Sequence, residues 1–318
     1  MPNSKSKDVS LVLASGGAKG YAHIGAIEAL QDRGYNIKSV VGCSMGSLVG
    51  GMFAAGKLQE TKELMLKVDF KEYFRLLDLN FSWDGALKGD RVINMLREIA
   101  PNSQIENLPI PFRAVATDIT HGRETLFESG DLFDAIRASI SIPGVFRPMR
   151  IGDSEFIDGG VMDPIPLQYA RRTEGDILVA IDINAHPDPA YDRHTSLATK
   201  VETILDNVSE RKDTIPPITN NPRINDLLNR ALDKAKEMTA EAEESAVKAK
   251  SAITRVLAQY TNLSLVALTD MALRITPPDV HVAIPINRFS TFDFANAAEI
   301  IDDGRQRMDA ALDAYEKE

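Results

Sequence analysis

Apolar residues in this chain fall into short, nearly unbroken runs that alternate with helically spaced ones. Residues 9–14 (VSLVLA) stay largely apolar until a glycine cluster interrupts them, the pattern of a strand buried on both faces. From Tyr21 to Leu30, the positions Ala22, Ile24, Ala26, Ile27 and Leu30 recur at helical spacing, and Gly34 closes the stretch. Residues 37–41 read as a second strand, and another helical pattern begins around Ser44. Strands are also expected at 112–117, 124–128, 177–183 and 279–284, with a closing helix over 294–315. Strands alternating with helices predict an α/β fold whose mostly parallel sheet is covered on both faces. Reactive groups in such folds gather beyond the carboxyl ends of the strands. Both glycine-rich clusters of the N-terminal region sit at strand ends of that kind.

Residues 199–275 break this alternation. From Ile224 to Val256, apolar or small residues repeat at the spacing of an amphipathic or coiled helix, with charges of both signs between them. A continuous helix over 223–259 would be about 55 Å long. The plainest reading is a helical insertion packed on the domain; a lid, a dimer arm and a lipid-surface helix are the alternatives. The expected organisation is a flexible 1–8, a core over 9–198, an insertion or arm at 199–275, and a last strand and helix of that core at 276–318.

Composition narrows the partners. The 318 residues, 44% hydrophobic and 26% charged, suffice for a sizeable core. A net charge of −10 argues against nucleic acid, which needs a basic surface. Cys43 is the sole cysteine, so no internal disulfide or thiolate cluster can form, which fits a reducing compartment. The polar start and the shortness of every apolar run predict a soluble, cytoplasmic protein without a signal peptide or membrane span.

Two motifs carry candidate chemistry. Gly42-Cys43-Ser44-Met45-Gly46 fits G-x-S-x-G between a strand and a helix, where a tight turn presents a nucleophile at a helix N-terminus. The glycines are also open to a pure packing role, which Gly50 and Gly51, deeper in the helix, are expected to have. Ser15-Gly16-Gly17-Ala18-Lys19-Gly20 follows the first strand and aims several amides at one point. As a phosphate cradle it lacks the first glycine of G-x-G-x-x-G, and no acid ends the second strand to hold a ribose. As an oxyanion hole it would offer the amides of Gly16, Gly17 and Ala18 to Ser44. The serine needs a base. His186, just past the strand at 177–183, suits a triad; His23, inside the first helix, reads as structural. Asp158, directly before Gly159 and Gly160, is the carboxylate alternative. Met45, Met52, Phe53, Phe81, Trp83, Phe146 and Met149 are candidates to line an apolar groove, and 70–89 to cap its mouth.

Taken in order, S-G-G-A-K-G, G-C-S-M-G and, about a hundred residues later, D-G-G resemble the bacterial patatin-like phospholipases, as does the stretch at 116–148. The resemblance covers 9–185 strongly and 279–305 weakly. It implies a three-layer α/β/α sandwich, to which 199–275 adds an extended helical insertion. It implies ester hydrolysis of acyl lipids by a Ser44–Asp158 dyad through an acyl-enzyme, with Gly16, Gly17 and Ala18 as oxyanion hole. Gly42, Gly46, Gly159 and Gly160 shape that site, and no catalytic histidine, cofactor or metal is called for. The family's first loop glycine is here Ser15. Expected partners are an acyl-lipid substrate, a peripheral contact with the inner membrane surface, and a second copy through 223–259. A regulatory or scaffold module with incidental esterase activity, and a nucleotide-binding protein, are the competing functions.

Overall fold

The computed structural model describes residues 7–67, 90–143, 145–191, 256 and 259–317. The chain divides into two compact units, residues 1–191 with 264–318, and residues 192–263. The expected helix over 223–259 lies outside the described residues apart from 256 and 259, as does the expected cap at 70–89.

Among the described residues of the first unit, eight strands form one sheet. The strands expected from the sequence all form near their places, the first four being β1 (Asp8–Leu13), β2 (Asn36–Cys43), β3 (Phe112–Asp118) and β4 (Arg123–Phe127), the last antiparallel to β3. Then come β5 (Met149–Ile151), β6 (Ser154–Asp158), β7 (Ile177–Ala185) and β8 (Val280–Pro285). Their order is β5-β6-β3-β2-β1-β7-β8, with β4 off this path and paired to β3. The run β3-β2-β1-β7-β8 is parallel, whereas β6 joins β3 antiparallel and β5 pairs β6 the same way. The β5–β6 hairpin, absent from the sequence expectation, carries Asp158 to the end of β3, where Ala116 pairs with it.

Nearly every residue of β1 and β7 is buried, because helices cover both faces of the central strands. The helices are α1 (Ala22–Asp32), α2 (Met45–Ala54), α3 (Leu58–Lys67), α4 (Asp90–Ile99), α5 (Leu132–Ser139) and α6 (Ala297–Lys317). The 3-10 turn Gly17–Tyr21 precedes α1, and Phe294–Asn296 precedes α6. Gly25 of α1 meets the Ile301 backbone, and Gly304 of α6 meets that of Ala22, so these two helices cross closely on one face. Gly50 of α2 lies against Val40 and Leu13, and Gly51 against Leu132 and Ile136, which is the packing role expected of them. Together the layers make a mostly parallel sheet flanked by helices, an α/β/α arrangement. β1 and β2 are neighbours at its centre, so both glycine clusters emerge side by side.

Candidate active site

Ser44 stands between the end of β2 and the start of α2. Its backbone adopts φ 53° and ψ −123°, a region that costs a non-glycine residue about 1–3 kcal/mol. Three contacts hold it there. The Ser44 amide donates to Ser139 Oγ at 2.8 Å, and that hydroxyl donates onward to the Val115 carbonyl at 2.6 Å. The Ser44 carbonyl accepts from the amides of Ser47 and Leu48, opening α2. Space for the turn comes from Gly42 and Gly46. A Cβ at Gly42 would strike the Gly46 carbonyl, and one at Gly46 would strike that of Leu13.

Asp158 arrives from the other side, at the end of β6. Its amide donates to the Ser141 carbonyl at 2.9 Å, and its Oδ1 accepts from the Gly160 amide at 2.8 Å. With one oxygen anchored, the other faces the serine: Ser44 Oγ donates to Asp158 Oδ2 at 2.5 Å. Both residues are deeply buried, 3% and 6% exposed. Burial pushes the Asp158 carboxyl up to about 6, against the hydrogen bonds from Ser44 and Gly160, which favour the ionised form. The result is a carboxylate at pH 7 that is a better base than a solvated one. Gly159 and Gly160 fit tightly here. A side chain at Gly159 would meet the Val115 carbonyl and Cys43 Sγ, and one at Gly160 would lie 2.6 Å from Ser15 Oγ.

The glycine loop departs from expectation at one donor. The Ala18 amide donates to the Thr291 carbonyl at 2.9 Å, so it is already spent and does not serve Ser44. Gly17, at φ +59°, lies so close to Thr291 that a Cβ would sit 2.6 Å from its Cγ2. Among the described residues, nothing accepts from the amides of Gly16 and Gly17. Those two remain as candidate oxyanion donors. Lys19, which a phosphate cradle would present outward, is buried, and this weighs against nucleotide binding. Ser15, in place of the first glycine, keeps its amide on the Pro164 carbonyl at 2.8 Å and its hydroxyl buried beside Gly160.

The described histidines have other partners. His186 Nε2 meets Asp270 Oδ2 at 2.7 Å on the surface, so the triad alternative loses its base. His23 donates from Nε2 to the Ala14 carbonyl at 2.8 Å, and burial pulls its ring down to about 4, leaving it neutral and structural. His121 pairs with Asp118, and His281 with Asp182; His194 lies outside the described residues. Burial, with Asp158 and Asp163 nearby, drives the Cys43 thiol far above its usual range, so it is no rival nucleophile. Of the groove candidates, Met52 and Phe53 belong to the main core and Phe146 is buried. Met45 and Met149 are half-buried, whereas Phe81 and Trp83 lie outside the described residues. Ser139 and Thr291 were missed by sequence reasoning. Ser139 falls within the family-like stretch at 116–148, but one of several serines there carries no mark of its role.

Residues 11–171 match the family model described as patatin-like phospholipase. An NTE family protein of Mycobacterium tuberculosis is 32% identical over 336 residues, covering 98% of this chain and 93% of that one. The lysophospholipase NTE1 of Cryptococcus neoformans is 31% identical over 190 residues, covering 57% of this chain and 12% of that one. Among solved structures, VipD from Legionella pneumophila aligns with a TM-score of 0.45 at 18% identity, covering 71% of this chain and 59% of that one. With the family model spanning half of the chain and a relative aligned along nearly all of it, this protein belongs to the patatin-like phospholipase family.

Proposed function

We propose that the protein is a serine ester hydrolase of acyl lipids, working through Ser44 and Asp158 alone. The observation that carries this reading is the 2.5 Å contact between Ser44 Oγ and Asp158 Oδ2 in a buried site. Asp158 Oδ2 takes the hydroxyl proton as Ser44 Oγ attacks the acyl carbonyl. Negative charge gathers on the carbonyl oxygen, facing the amides of Gly16 and Gly17 and the N-terminus of α2. The alcohol portion leaves with the proton from Asp158, and the acyl group stays on Ser44. Water then enters, gives a proton to Asp158, and attacks the ester. The fatty acid departs as Oγ recovers its proton.

A single carboxylate suffices as base because its surroundings raise its proton affinity toward neutrality while Gly160 keeps it oriented. Membership of a phospholipase family supports an acyl lipid as substrate. A lysophospholipid is the first to test, since the fungal relative carries that name.

The test combines fluorophosphonate labelling with fatty-acid release from a lysophospholipid. Wild-type protein should be labelled at Ser44 and release fatty acid. Ser44→Ala should lose both, with turnover down about 10⁴-fold or more and an unchanged circular dichroism spectrum. Turnover surviving in Ser44→Ala removes the serine from the reaction.

A further inference from the structure

Behind the glycine loop lies a buried polar chain that the hydrolytic steps leave unused. Lys19, only 1% exposed, donates from Nζ to Asn184 Oδ1 at 3.3 Å. Asn184 Nδ2 in turn donates to the Ser15 carbonyl at 2.7 Å. The Asn184 amide is itself held by Asp182 Oδ1 at 2.8 Å, and Asp182 Oδ2 accepts from His281 Nε2 at 3.2 Å. Burial lowers the Lys19 ammonium to about 8, with Asp182 opposing, so it is a cation at pH 7. Burying an ammonium is costly, and a loop that needed only flexibility would have no use for one.

The geometry of the peptide unit supplies a use. A trans peptide is planar, so its carbonyl and its N–H point in opposite directions, and no described peptide is cis. Whatever holds the Ser15 carbonyl therefore aims the Gly16 N–H. Asn184 reaches that carbonyl from β7, and β7 and β2 flank β1 on opposite sides. The Gly16 N–H is thereby turned away from β7, toward the side on which β2 leads into Ser44. Gly16 also lies so close to β7 that a Cβ would sit 2.7 Å from Ile183 Cδ1. Lys19 completes the device. An ammonium donates and cannot accept, so Oδ1 of Asn184 must face it and the NH₂ group must face Ser15.

We infer that Asn184, locked in one amide orientation by Lys19, is the positioning residue that aims the Gly16 amide at the oxyanion formed on Ser44. This rests on the hydrolytic reading above. Asn184→Asp is nearly isosteric and still gives Lys19 an acceptor, but it sets a carboxylate oxygen against the Ser15 carbonyl. On a small soluble ester its kcat should fall about 10²-fold, the scale of losing one oxyanion donor, with KM within about twofold and Ser44 phosphonylation slowed in parallel. A merely structural role would lower the melting temperature and leave the kcat of the folded fraction alone. Should Asn184→Asp lack a cooperative melt, Asn184→Ala, which removes the donor without adding charge, is read the same way. A folded variant with wild-type kcat, or one in which KM alone rises, overturns the inference while leaving Ser44 chemistry standing. Wild-type protein unlabelled at Ser44 overturns the hydrolytic reading and this inference with it.

Discussion

Replacing Asp158 by Asn should abolish turnover and at the same time stabilise the fold. The amide keeps an oxygen for the Gly160 N–H and fills the same volume, yet it cannot take a proton from Ser44. The stabilisation follows from the raised carboxyl. Burial lifts it from its ordinary 3.8 to about 6 in the folded protein. That corresponds to about 3 kcal/mol, as an upper figure. Because the folded form holds the proton more tightly, the penalty is absent below about pH 4, grows between about pH 4 and 6, and is fully present above. Asn at this position carries no such penalty. At pH 8 the variant should melt roughly 5 °C above wild type for a domain of this size, and the gap should close toward pH 4. Differential scanning calorimetry across that range reads it directly. The wild-type kcat/KM should rise with pH through about 6 and then level off. A variant no more stable than wild type at pH 8, or an advantage equal at pH 4 and pH 8, would refute the claim that this carboxylate is held against its own solvation.

Other substitutions separate the parts of the site. Ser139→Ala leaves the buried Ser44 amide without its acceptor and should cost about 1–3 kcal/mol in urea unfolding, with kcat reduced; a loss below about 0.5 kcal/mol would show that the turn does not need this anchor. His186→Ala breaks an exposed pair with Asp270 and should leave turnover within about twofold; a drop of several orders of magnitude would reinstate histidine as the base. Cys43 should resist iodoacetamide at pH 8 in the native protein and react promptly once unfolded, and equal rates in both states would contradict its burial.

The features that were legible in the sequence have causes local to a few residues. β1, β2 and β7 announce themselves because strands covered on both faces are largely apolar. The turn at Ser44 announces itself because Gly42 and Gly46 are forced by backbone contacts within one tight bend. The β5–β6 hairpin was invisible for the converse reason. Its strands, Met149–Ile151 and Ser154–Asp158, are short and half-exposed, so they show no apolar run. Asp158 stood out in the sequence only as an acid directly before two glycines, whereas the pairing of Phe156-Ile157-Asp158 with β3 fixes it rigidly. That rigidity is what lets a lone carboxylate meet the serine at hydrogen-bond distance.

The oxyanion loop shows why backbone donors are harder to read than side chains. A glycine marks where the chain needs room, but not the direction in which an amide points. Three consecutive amides looked equivalent in Gly16-Gly17-Ala18. They are distinguished by residues far away in sequence: Thr291 claims the Ala18 N–H, and Asn184 fixes the peptide that carries the Gly16 N–H. Neither partner belongs to a motif, and each is a common residue at the end of a strand or in a loop. Ser15 follows the same logic. Its side chain occupies the space that Gly160 leaves open, so a departure from the family's glycine is accommodated by a glycine of the other motif. The two motifs are therefore coupled by contact. A side chain at Gly160 would be expected to disturb Ser15, and through its carbonyl the Gly16 amide, before it disturbed the core.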